Sequence, residues 1–262
     1  MLVFSAILPH AAILLPTVGK DNLKKMPKTI EALKKINDDF KAAKPDSVIV
    51  IFSHAGQDEF FSLYINKEYQ SDFEKLGDFS TKLKFLPDFE MLANLRKFIR
   101  IKGFPLAVKG TEKLSYDATI PLFYTDEKQK ANIVPLETAA LPLKKHLDLG
   151  GVLKECIDSS NRRVAVIASA NLSHALSTDA PGGLSPAGKE FDEKIQEFIA
   201  NKNSVGLVSY DEQKLSEAKE CASRPIAVLL GIMQQREYNP QIYSYEAPFG
   251  IGFLVANFKM DI

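Results

Sequence analysis

Ser47-Val48-Ile49-Val50-Ile51-Phe52 is apolar at every position after its first residue and runs straight into Ser53-His54. A strand with one wet face alternates polar and apolar residues. A run without alternation suits a central strand of a parallel sheet, covered by helices on both faces. Two further stretches read the same way, Leu2–Leu8 and Arg163–Ala168. Between the first two, Leu23, Met26, Ile30, Leu33, Ile36 and Phe40 recur at steps of three and four, one face of a helix that Pro27 starts or kinks and Lys44-Pro45-Asp46 ends. Strand–helix–strand alternation of this kind builds a sheet with helices on both sides.

Beyond these three runs, Phe60–Ile65, Leu106–Val108 and Asn132–Pro135 read as shorter strands. Asp88 is an N-cap for a helix carrying Leu92, Leu95, Phe98 and Ile99, which Gly103 closes. Helices follow near 143–159, 189–200, 212–220 and 225–234, and Gln241–Tyr245 and Gly252–Phe258 return to strand. No internal repeat or Gly/Ser/Pro linker divides the chain. The expectation is one α/β domain over residues 1–262, a three-layer α/β/α fold with a mostly parallel or mixed central sheet.

Composition excludes several classes of function. With 45% hydrophobic and 25% charged residues, 262 residues can bury a core without disulfides or structural metals. Lys and Arg number 33 and so do Asp and Glu, so there is no basic excess of the kind that grips nucleic acid. The uncharged stretch Leu2–Val18 lacks a basic leader and is interrupted by Pro9 and Pro16, which argues against a signal peptide or a spanning helix. Two cysteines, Cys156 and Cys221, without a CxxC pair, fit a reduced, cytoplasmic protein. The expected partners are therefore small molecules rather than nucleic acid or membrane.

Three of the four histidines lie just beyond an apolar strand: His10 after Leu2–Leu8, His54 after Ser47–Phe52, and His174 after Arg163–Ala168. Open α/β sheets bind ligands outside the carboxyl ends of their strands, so these imidazoles fall where such proteins build sites. His146, in Lys144-Lys145-His146, reads as surface. Two histidines and a carboxylate form the face that holds Fe(II) with open positions, and Glu246, ending a strand at the same sheet edge, is the candidate carboxylate. No GxGxxG, GxxxxGK[ST] or GxSxG motif follows a strand, which argues against a nucleotide site or a serine hydrolase. The loop 179–188, directly after His174, is placed to cover the site as a lid.

Leu8-Pro9-His10 with Leu14-Leu15-Pro16, then Ser53-His54, Ala168-Ser169-Ala170-Asn171-Leu172-Ser173-His174, Pro186-Ala187-Gly188-Lys189-Glu190-Phe191-Asp192 and Ser244-Tyr245-Glu246-Ala247-Pro248-Phe249-Gly250 occur in this order. The ordered set resembles the catalytic chains of the class III extradiol ring-cleavage dioxygenase family. The resemblance implies Fe(II) held by His10, His54 and Glu246, with His174 as the acid/base that takes a proton from a catechol hydroxyl. It further implies a small aromatic substrate, O2 as co-substrate, and a homo-oligomer, with or without a small partner subunit. The family's usual Asp-His pair before its Pro-Leu strand is missing: Tyr116 or Ala118 stands at the histidine position, and Asn171 where aspartate is common. Tyr116, Asp117 and Asn171 are then the expected pocket residues.

Cys221-Ala222-Ser223-Arg224-Pro225-Ile226 also resembles a segment of the Memo-type proteins, a sister branch of the same fold. In that branch a cysteine of this segment joins the histidines. That resemblance implies a metal-binding protein without ring cleavage, with Cys221 as alternative ligand and zinc or copper as alternative metal.

Overall fold

The computed structural model describes residues 1–53, 58–126, 128 and 130–260. His54, one of the expected metal ligands, lies outside the described residues. In chain order the elements are β1 (Leu2–Leu8), α1 (Pro16–Gly19), α2 (Pro27–Ala43), β2 (Ser47–Phe52), β3 (Phe61–Tyr64), β4 (Tyr69–Ser71), β5 (Lys84–Phe85), α3 (Phe89–Ile101), β6 (Leu106–Lys109), β7 (Lys113–Leu114), α4 (Tyr116–Thr125), β8 (Asn132–Glu137), α5 (Leu143–Asp158), β9 (Val164–Ser169), α6 (Pro186–Ala200), α7 (Ser204–Val208), α8 (Glu212–Ala218), α9 (Ser223–Met233), β10 (Asn239–Glu246) and β11 (Phe253–Lys259).

Among the described residues, eight strands form one sheet in the order β10-β11-β1-β9-β2-β8-β3-β6. Its centre, β1-β9-β2-β8, is parallel, while β11 runs antiparallel to β1, β10 antiparallel to β11, and β3 antiparallel to β8. Alternate side chains of the central strands feed two separate cores. Val48, Val50, Phe52, Ala165 and Ile167 pack with Leu33, Ile36 and Phe40 of α2 on one side. Ile49, Ile51, Val166 and Ala168 pack with Leu95 of α3, Leu153 of α5, Phe191 of α6 and Leu229 of α9 on the other. This period-two division makes the three layers, and the lack of polar alternation in the sequence is its signature.

The local rules hold at the helix ends that the sequence marks. Pro27 begins α2, and Asp88 caps α3 by accepting the Met91 amide at 3.0 Å. Two expectations need correction. The Pro-Leu strand that the family resemblance implies at Pro121-Leu122 is absent: Tyr116–Thr125 is a helix with Pro121 inside it. The segment 179–188 is not a free lid. Helix α6 begins at Pro186, and the preceding residues are fastened by Gly182 N–H to the His174 carbonyl (2.8 Å) and Ser185 N–H to the Ala175 carbonyl (2.9 Å).

His146 is the third correction. It is fully buried in α5 rather than exposed, and its ring packs edge-on against Phe61 at 5.0 Å. Its Nδ1 faces the Pro142 carbonyl at 3.2 Å, and its Nε2 accepts the Ala139 amide at 3.4 Å. A carbonyl only accepts, so Nδ1 carries the proton and the ring is satisfied as a neutral imidazole. Burial pushes its pKa down to about 4. A histidine held neutral contributes stability in full above its unfolded value near 6.5 and loses it as pH falls towards 4. His146→Gln retains a donor and an acceptor without the charge. Relative to wild type it should gain up to about 3 kcal/mol on going from pH 7 to pH 4, read from urea midpoints at the two pH values.

Candidate active site

The four central strands run the same way, so β1, β9, β2 and β8 end at one edge of the sheet. The Ala170 amide extends the ladder to the Leu8 carbonyl (2.9 Å), and Asn171 Oδ1 then accepts the His10 amide at 3.0 Å. This crossing bond places His10 above the ends of β1 and β9. The imidazole is buried, with Nδ1 2.9 Å from Ser169 Oγ and Nε2 3.4 Å from Cys221 Sγ. Tyr116, the first residue of α4, sets its ring 6.4 Å from that of His10, centroid to centroid, in an edge-on geometry. Burial, Asp117 and Cys221 together push the Tyr116 phenol up, so it stays protonated beside the site.

Cys221 reaches His10 because the segment before α9 is stitched to the loop after β9. The Asn171 carbonyl accepts the Cys221 amide at 3.4 Å, and the thiol sulfur lies 3.4 Å from both that carbonyl and His10 Nε2. The Ala218 carbonyl accepts the His174 amide (3.1 Å) and the Ser173 hydroxyl (2.8 Å). Asn171 thus orients two site residues at once, His10 through its side chain and Cys221 through its backbone. Burial first, and the nearby Glu220 carboxylate second, push the Cys221 thiol well up, so it keeps its proton in the metal-free chain. Glu220 itself closes the start of α9, accepting the Ala222 and Ser223 amides at 2.5 and 2.7 Å. A cavity of about 590 Å³ opens on this edge, lined by Ser53, Leu141, Lys219, Glu220, Cys221 and Arg224.

Glu246 ends β10, which runs in the same direction as β1 and therefore finishes at the same sheet edge. It lies two strands away from β1, roughly 10 Å across the sheet. Its Oε2 accepts the Thr29 amide at 2.6 Å and the Thr29 hydroxyl at 2.7 Å. Thr29 stands in the first turn of α2, whose N-cap position, Met26, makes no side-chain capping bond. The carboxylate thus caps α2 from a distant strand, where the orphan amides and the helix dipole favour a negative charge. Among the described residues, no three His, Cys, Asp or Glu side chains converge to hold a metal. The structure brings His10, Cys221, Asn171 and Tyr116 together and engages Glu246 with α2.

Three supports escape the sequence reading. Ser169 ends β9 beside His10. Asp192 of α6 accepts the Ser173 amide at 2.8 Å and the Tyr245 hydroxyl at 2.6 Å, anchoring the residue before His174. Glu137, buried at the end of β8, is held by the Tyr64 hydroxyl at 2.8 Å and by Lys109 at 3.2 Å. A polar residue closing an apolar strand is the available signal for Ser169 and Glu137. Asp192 is signalled only as the last residue of the motif at 186–192, and its contacts are not, because its partners are distant in the chain.

A three-layer α/β protein with imidazole, thiol and amide groups gathered at the carboxyl edge of its parallel strands is a site-bearing protein of the open-sheet class. Residues 5–256 match the family model of the catalytic LigB subunit of aromatic ring-opening dioxygenase, and the chain belongs to that family. Protein CA_C1420 of Clostridium acetobutylicum is 28% identical over 266 residues, covering 94% of this chain and 55% of its own length. The chain therefore spans about half of that relative. The crystal structure of the uncharacterized protein JW3007 from Escherichia coli K12 shares the fold, with a TM-score of 0.63 at 14% identity over 86% of this chain and 91% of that one. No helix among the described residues is long and apolar enough to cross a membrane.

Proposed function

We propose that the chain is a metal-dependent dioxygenase of the extradiol type, opening a catechol-like ring with O2 at the edge where β1, β9 and β2 end. The observation that carries this reading is His10: a buried imidazole at the strand ends, tied down through its amide and Nδ1, with Nε2 directed into the site. His10 and His54 are the proposed histidine ligands and Glu246 the proposed carboxylate, for Fe(II). When bound, such a metal would lower the pKa of the ring hydroxyls and activate O2 beside the ring. His174, held by its amide to Ala218, is the proposed acceptor of a ring hydroxyl proton. Tyr116 and Asn171 bound the same space, and the phenol of Tyr116 offers a hydrogen bond where a histidine would otherwise stand.

A second reading has its own observation. Around a tetrahedral zinc, nitrogen at ~2.0–2.1 Å and sulfur at ~2.3 Å lie roughly 3.5 Å apart, and His10 Nε2 and Cys221 Sγ are separated by 3.4 Å. That spacing favours a thiophilic centre of the Memo type, with zinc or copper and without ring cleavage.

Anaerobic loading with Fe(II) and with Zn(II), on wild type, Glu246→Gln and Cys221→Ala, separates the two. Glu246→Gln is chosen because its amide oxygen can still accept from Thr29. The ring-opening reading expects about one iron per chain, affinity reduced about 10–100-fold in Glu246→Gln and kept in Cys221→Ala, and oxygen uptake on adding catechols. Zinc binding that depends on Cys221 and not on Glu246 would establish the second reading. A chain that takes up neither metal overturns both.

A further inference from the structure

We infer that Ser169 and Pro121 together fix the tautomer of His10, so that Nδ1 carries the proton and Nε2 presents its lone pair to Cys221 and the site. Helix α4 supplies the acceptor. A helical residue normally donates its amide to the carbonyl four positions earlier, but Pro121 has no N–H to give to Asp117. The Asp117 carbonyl is thus released from the helix ladder, and it accepts the hydroxyl of Ser169 instead. A carbonyl cannot donate, so the single hydroxyl proton of Ser169 is committed to that bond. Ser169 Oγ, 2.9 Å from His10 Nδ1, is then left only with lone pairs and must accept. Nδ1 is therefore the protonated nitrogen. A neutral imidazole carries one ring proton, which leaves Nε2 as the basic atom and the acceptor of the single Cys221 thiol proton, with Sγ 3.4 Å away.

The Asn171 side chain holds the His10 amide, so the ring cannot swing away without breaking a second bond. Ser169 is a positioning residue: it acts through His10 and is fully buried between strand end and helix. Outer partners of this kind orient a ligating imidazole and set which nitrogen faces the metal. That consequence rests on the metal reading above; the tautomer assignment itself does not.

The test is nitrogen NMR of the metal-free full chain, ring-labelled at its histidines, above the pH at which free imidazoles are protonated. The His10 signals are identified by their loss in His10→Gln. Wild type should show His10 with Nδ1 as the N–H nitrogen, and Ser169→Ala should move it to the Nε2–H form or a mixture. Zn(II) affinity should fall about 10–100-fold in Ser169→Ala. An Nε2–H tautomer in wild type overturns the proposal without any variant being needed, and so does an unchanged tautomer in folded Ser169→Ala. An Nδ1–H tautomer in a wild-type chain that binds no metal upholds the assignment and rejects the metal reading.

Discussion

Gly231→Ala should cost at least about 3 kcal/mol of folding stability, near the upper end of what overpacking does to a core. Gly231 on α9 and Gly150 on α5 meet where the two helices cross. A Cβ at Gly231 would lie 2.1 Å from the Leu147 carbonyl oxygen and 2.8 Å from Gly150 Cα. Both are backbone atoms of a helix, and neither can rotate aside. The helices must separate, opening the core that Leu149, Leu153, Ile226 and Leu229 fill. Gly151, one residue along α5, has nothing within 4 Å of its added Cβ. Gly151→Ala should therefore be neutral or stabilise by about 0.5–1 kcal/mol, from helix propensity alone. Urea unfolding should show a large fall in midpoint for Gly231→Ala and none for Gly151→Ala, at unchanged slope. Equal midpoints would mean that the crossing is not a tight backbone contact. The consequence reaches the site, because α9 begins two residues after Cys221, and a displaced α9 carries the thiol away from His10.

Asp192→Asn should change the pH dependence of stability strongly. The carboxyl is 1% exposed. Burial is the main cause that pushes it up to about 7, with Glu220 adding to it, while the bonds from Tyr245 and Ser173 pull the other way. The raised value fixes the sign. Below about pH 4 the group is protonated folded and unfolded alike, and nothing is lost. As pH rises, the unfolded chain ionises first, and the folded chain loses stability until the buried group has also ionised, near and above pH 7. The gap between an ordinary carboxyl and one titrating near 7 corresponds to about 4 kcal/mol as a ceiling. Asparagine keeps an oxygen for the Ser173 amide and an N–H for the Tyr245 oxygen, with no charge to bury. Relative to wild type, Asp192→Asn should gain up to that amount between about pH 4 and pH 8. A constant difference across the range would exclude a buried, titrating carboxyl. His146 acts with opposite sign in the same window, so the two variants are needed to separate the contributions.

The glycine crossing and the buried histidine also mark what cannot be read from the chain. Gly150 and Gly231 each look like an ordinary interruption of a helix, and only the crossing shows why a side chain is excluded. Lys144-Lys145-His146 reads as a wet face by local composition, yet α5 turns His146 inward onto Phe61, and a neutral ring with both nitrogens satisfied costs little to bury. The family resemblance implies a strand at Pro121-Leu122, and proline disfavours helix interiors. Here α4 accepts it, and the carbonyl it releases is taken by Ser169. Glu246 illustrates the same limit for a site residue. Its place at the strand end is legible, but its engagement with Thr29, 217 positions away in the chain, is not.

The layered α/β fold, and the sheet edge that holds the candidate site, follow from the order of residues in the chain. Unbroken apolar runs report burial on both faces, helical periodicity reports the covering layers, and the residue that follows a strand must lie at its end. Those are local consequences of backbone geometry, and they point to the carboxyl edge for His10, His174 and Glu246. Which groups touch at that edge is a property of the assembled molecule. Cys221 meets His10 because the loop after β9 is hydrogen-bonded to the segment before α9, and Ser169 meets both His10 and Asp117 because β9 ends beneath α4. Contacts between residues 50 to 211 positions apart depend on how strands are ordered and helices seated, and no local pattern of side chains encodes that order.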